Sequence, residues 1–98
     1  MQIKDFQKLI RDRYHETDAR RGVPGTFLWL TEELGELASE LADRERGQGD
    51  PEALALEFAD VLAWLSTLAS MVGVDLEAAA TKKYERGCPR CTATPCAC

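Results

Sequence analysis

The chain has 98 residues, 45% hydrophobic and 30% charged, which is room for one soluble domain with one core. Its formal net charge of -5 speaks against sequence-independent nucleic-acid binding, which needs clustered Lys and Arg. Residues 1–13 are charged throughout and show no secretory signal, and the longest apolar stretch, 58–74, contains Asp60 and is short for a membrane span. The expectation is a cytoplasmic protein with neither nucleic-acid nor membrane partners.

The periodicity is helical nearly everywhere, so the fold class is all-α, a bundle of about four helices. The first helix is expected over about 3–18, with Ile3, Phe6, Ile10 and Tyr14 on one face. Residues 20–25, with two Gly and a Pro, read as a loop. The second helix is expected from an N-cap at Thr26 to about Gly47, with Leu30, Leu34, Leu37 and Leu41 as its apolar seam. Asp50-Pro51 is a strong start for the third helix, whose seam is Leu54, Phe58, Val61, Leu65, Leu68 and Val72 and whose end is Gly73. A short fourth helix is expected from Asp75 to about Arg86, stopped by Gly87. The two long helices, joined by a short turn, should form an antiparallel hairpin. Residues 1–86 are read as the helical domain and 87–98 as a cysteine-rich tail.

One residue away from each seam runs a second stripe. It holds Trp29, Glu33, Glu36 and Glu40 on the second helix, and Glu57, Asp60, Trp64, Thr67 and Met71 on the third. Glu33 with Glu36, and Glu57 with Asp60, are i,i+3 pairs. If the seams pack together, both pairs approach one groove. Four carboxylates there repel one another and suit a hard divalent cation such as Mg²⁺. The plainer alternative is a solvated acidic face. Against it, Asp60 lies in an apolar run, and no Lys or Arg stands four residues from any of the four acids.

Glu32-Glu33-Leu34-Gly35-Glu36-Leu37, followed by Glu57-Phe58-Ala59-Asp60-Val61-Leu62, resembles the E-x-x-E…E-x-x-D signature of the MazG-type all-α NTP pyrophosphohydrolases. Lys83-Tyr84 resembles the family's C-terminal Lys-Tyr element, and the likeness covers about 3–84. The resemblance implies hydrolysis of a nucleoside triphosphate to the monophosphate and diphosphate, as in nucleotide-pool house-cleaning. It implies Mg²⁺ held by Glu33, Glu36, Glu57 and Asp60, with Glu33 and Glu36 in the catalytic set. Glu32 would orient or deprotonate the attacking water. Trp64, at a position where relatives contact the base, and Trp29 are candidates for stacking on it, against core packing as the alternative. Relatives often carry an Asn before the Lys-Tyr element; here the stretch is Ala78-Ala79-Ala80-Thr81, which leaves Lys83 as the phosphate contact and Tyr84 beside it. The resemblance also implies a homodimer, or a tetramer of dimers, that completes the core. Two other functions compete: a phosphoribosyl-ATP pyrophosphohydrolase, and a silent helical dimer whose tail is an interaction module.

The lone His15 and the pair Arg20-Arg21 read as solvated. The tail carries Cys88, Cys91, Cys96 and Cys98 in a C-x2-C-x4-C-x-C pattern. Structural Zn²⁺, reversible disulfides and a reduced, disordered tail are the three readings.

Overall fold

A computed structural model describes residues 1–98 and contains helices only. Helix α1 spans Ile3–Glu45, α2 spans Pro51–Met71 and α3 spans Leu76–Tyr84. A straight 43-residue helix would be about 65 Å long. The longest dimension of the molecule is 42 Å, so α1 is bent. The bend is at Gly22, whose φ of 81° and ψ of 169° lie in a region open essentially to glycine alone.

The expected loop over 20–25 is therefore a break of one residue, and the first helix runs past Asp18 to Arg21. Pro24 falls in the first turn after the break, where its missing N–H has no helical acceptor. Thr26 is not an N-cap. It is fully buried, and its hydroxyl donates to the Gly22 carbonyl at 2.8 Å. The fold thus has three helices, the first in two arms.

The other boundaries follow from capping. Asp50 accepts from the Glu52 N–H and Pro51 opens α2. Gly47 (φ 74°) and Gly73 (φ 77°) stop α1 and α2 with paired C-terminal bonds: Gln48 N–H to Asp43 O at 2.9 Å, and Val74 N–H to Ala69 O at 2.8 Å. Asp75 caps α3 through the Ala78 N–H. The buried carboxamide of Gln7 fastens the first arm to the α2–α3 turn. It donates to Ser70 Oγ and the Val74 carbonyl, and accepts from the Leu76 N–H.

The hairpin is antiparallel: Trp29 of α1 meets Trp64 of α2, while Glu33, further along α1, meets Glu57, earlier on α2. The line turned inward on the second arm is Thr26, Leu30, Glu33, Leu37 and Glu40; on α2 it is Leu54, Glu57, Val61, Trp64 and Leu68. Each line joins half of the expected apolar seam to half of the acidic and aromatic stripe. The other half of the seam, Leu34, Leu41, Phe58, Leu65 and Val72, is exposed. In the first arm Ile10 is buried, but Ile3 and Tyr14 are exposed.

The reason is the width of the apolar arc. Phe27, Leu34 and Leu41 each follow an inward residue by one position, as do Phe58, Leu62 and Leu65. One residue is a turn of about 100° in the same sense. Because the two helices are antiparallel, that turn brings both exposed stripes to the same side of the hairpin. The buried hydrophobic core of the single chain is correspondingly small, namely Ile10, Leu30 and Ala69.

Candidate functional site

The acidic site lies inside the α1–α2 hairpin. Glu33 projects from the second arm of α1 and Glu57 from the facing turn of α2, both on the inward lines. Carboxylate oxygens of Glu33, Glu36 and Glu57 all lie within 4.8 Å of one another. Oε2 of Glu33 and Oε2 of Glu57 are buried and have no hydrogen-bond partner. Two buried carboxylate oxygens without a donor are expensive. Burial, and then the charges of Asp60 and Glu36, push the Glu33 carboxyl up; burial, and then Glu36 and Glu33, do the same to Glu57. No Lys, Arg or His is ion-paired to any of these acids. The donor set is oxygen only, negative and close, which fits a hard divalent cation.

Asp60 stands outside this trio. It is exposed and lines a neighbouring cleft of about 340 Å³ together with Tyr14, Asp18, Arg21, Trp64 and Thr67. Its charge still reaches Glu33 and Glu57. Glu32 is exposed on the adjacent face and acts on Glu33 only through its field. Trp29 and Trp64 stack on each other, with centroids 5.8 Å apart and planes 8° from parallel. Lys83 and Tyr84 are exposed on α3, with the Lys83 ammonium 5.5 Å from the Tyr84 ring; neither is bonded to a carboxylate.

Arg21 was expected in a solvated loop and is instead half-buried beside the site. Its guanidinium lies 4.7 Å from the Trp64 ring centroid. It donates to Asp18 Oδ1 at 3.0 Å and to Thr26 Oγ1 at 3.3 Å, and Asp18 is itself buried. The i,i+3 spacing of Asp18 and Arg21 was the available signal, but it counts only if the helix continues through both. His15 is exposed.

With this geometry in view, the model of the MazG nucleotide pyrophosphohydrolase domain matches residues 23–92. The chain belongs to that family. Membership implies a hydrolase that acts on nucleotides, and both halves of the acidic site fall within the matched span. No curated protein matches the chain.

The tail gathers its four cysteines, each a free thiol, with all four Sγ atoms within 4.8 Å of one another. Backbone N–H groups, Ala97 first, bring the Cys91 thiol down to about 6.

The raised carboxyls have a consequence for stability. A carboxyl pushed up by folding is destabilising in its charged form. That cost is absent below the unfolded value of about 4.3, grows as pH rises through the folded value, and is fully present at neutral pH. Glu57→Gln should therefore raise the melting temperature of the metal-free protein at neutral pH, and the advantage should vanish towards about pH 4. Thermal unfolding in EDTA across pH checks this; an equal gain at every pH, or none, would contradict it.

Proposed function

We propose that this protein is a Mg²⁺-dependent nucleoside triphosphate pyrophosphohydrolase, releasing a nucleoside monophosphate and diphosphate. The observation that carries the reading is the pair of buried, partnerless oxygens on Glu33 and Glu57, joined by Glu36 across the hairpin. Glu33, Glu36 and Glu57 would hold the ion, with Asp60 completing the set from the mouth of the adjoining cleft. Bound there, Mg²⁺ supplies Lewis acidity at the phosphate and lowers the pKa of water.

The chain's own residues divide the remaining work. Asp18 and Thr26 hold Arg21 over Trp64, so the cation and the indole border one cleft. A nucleobase packs in that cleft against the edge of the Trp64 indole, on which Trp29 is stacked, and Arg21 borders the nucleotide's negative charge. The cleft, at about 340 Å³, is within the size range of small-ligand pockets. Glu32 orients the water from the exposed flank. Lys83 and Tyr84 reach phosphate only if the nucleotide extends towards α3, so they are secondary contacts. Residues 1–86 form the catalytic body, and the role is cytoplasmic house-cleaning of nucleotides.

The site is completed by a second copy of the chain. Phe27, Leu34, Leu41, Phe58, Leu62 and Leu65 line one side of the hairpin and are exposed in the single chain. A 98-residue chain that buries so little apolar surface needs such a cover. By length and composition alone α2 could cross a membrane. Glu57 and Asp60 stand mid-helix, where each acid costs about 2.5–3.5 kcal/mol in a bilayer, so the apolar side is read as protein-facing.

Two experiments test the reading. Diphosphate release is measured for canonical, deoxy and damaged nucleoside triphosphates and for phosphoribosyl-ATP, with Mg²⁺ or EDTA. Mg²⁺-dependent cleavage is expected, and Glu36→Gln should reduce it by more than the about 10–100-fold typical of groups that only support a ligand, with the fold intact. Cleavage of phosphoribosyl-ATP alone would reassign the substrate; no cleavage by a folded, Mg²⁺-loaded protein would overturn the enzyme. Separately, Leu65→Glu should shift sedimentation from dimer towards monomer, and an unchanged distribution would remove that face from the interface.

A further inference from the structure

The four sulfurs at the end of the chain form a compact cluster that the acidic site does not use. Cys88 Sγ lies 3.6 Å from Cys96 Sγ and 3.8 Å from Cys98 Sγ, and Cys91 Sγ lies 3.9 Å from Cys96 Sγ. Four sulfurs around one Zn²⁺ at about 2.3 Å stand about 3.8 Å apart along each edge of the tetrahedron. These three separations match that edge. They do not sort the thiols into two pairs, because Cys96 is about as close to Cys88 as to Cys91, and Cys88 is about as close to Cys98 as to Cys96. A disulfide framework would sort the sulfurs two at a time, and these separations do not.

The backbone is shaped around the sulfurs. Thr92 N–H donates to the Cys88 carbonyl at 2.7 Å, and Cys88 N–H donates to the Ala93 carbonyl at 3.2 Å, closing a knuckle between the first two cysteines. Gly87, at φ 110°, lets the Thr92 carbonyl come within 2.5 Å of where a Cβ would be, so no other residue fits there. Ala97 N–H points at Cys91 Sγ (3.3 Å) and Cys98 N–H at Cys96 Sγ (3.4 Å), the contacts that support ligating thiolates. No residue from 87 to 98 is buried, so apolar packing does not hold this segment in shape.

We propose that Cys88, Cys91, Cys96 and Cys98 of one chain bind one Zn²⁺ as a closed, structural tetrathiolate site. Four thiolates leave no open position for substrate, so the ion folds the tail and performs no hydrolysis. The chain then carries two metal sites of opposite chemistry, soft sulfur in the tail and hard oxygen in the hairpin.

The test uses the full chain purified under reducing conditions. Metal analysis should find one zinc per chain. Exchange with Co²⁺ should give the thiolate-to-cobalt charge-transfer band and the strong visible bands of a tetrahedral sulfur site. Cys96→Ser, and separately the double substitution Cys88→Ser with Cys91→Ser, should lose the zinc and the cobalt spectrum, whereas Glu36→Gln should retain both. Four freely titrating thiols in the presence of equimolar zinc would overturn the proposal. So would an intact mass showing two disulfides, or one zinc per two chains, which would make the site intermolecular. None of these readouts depends on hydrolysis.

Discussion

Two glutamates from facing helices, Glu33 and Glu57, occupy the hairpin interior at positions where a bundle ordinarily places leucines, and each buries an oxygen that bonds to nothing. Like charges at short range in a partly dry site repel, and folding pushes both carboxyls up. Much else in the structure accommodates this. Trp29 and Trp64 stack on each other across the same hairpin. The apolar residues that could have closed the hairpin turn instead to its outer side. A helix pair organised in this way is less stable alone than with a cation between its acids and a second apolar surface over its leucines.

The break at Gly22 serves the same site. It bends α1 so that its first arm returns alongside the C-terminal half of α2, where Gln7 fastens it. That return brings Tyr14, Asp18 and Arg21 to the face that carries Asp60 and Trp64. Without the bend, the hairpin would hold the acids but would have no cleft beside them. Arg21 shares the adjoining cleft with Asp60, and its ion pair is with Asp18 and not with any of the four acids. It therefore does not neutralise the carboxylates.

Much of this was legible in the amino-acid sequence. Asp50-Pro51, Gly47 and Gly73 mark helix ends because capping chemistry is local, and the acids that meet across the hairpin stand at helical spacing on two segments joined by a short turn. What could not be read was the rotation of the helices. Periodicity identifies an apolar arc, but when the arc is wide it does not say which edge meets the partner helix and which is left outside. Glu33 and Leu34 exchange roles through a turn of about 100°. Arg20 to Gly25 misled for a related reason. Gly and Pro so close together mark loops in general, yet one glycine suffices to turn a chain whose Pro then falls in a first turn. With the loop went Arg21 and Asp18, since their pairing exists only on an unbroken helix up to residue 21.

If the hairpin acids form a cation site, the ion must stabilise the fold. The most direct test is thermal unfolding of the intact protein at neutral pH during a Mg²⁺ titration. A saturable rise in melting temperature is expected, equivalent to about 2.7 kcal/mol when Mg²⁺ reaches a hundred times its dissociation constant. The rise should weaken as pH falls and Glu33 and Glu57 take up protons. A melting temperature indifferent to Mg²⁺ and to Mn²⁺ would mean that the carboxylates are held together for another reason and that the site has been misread.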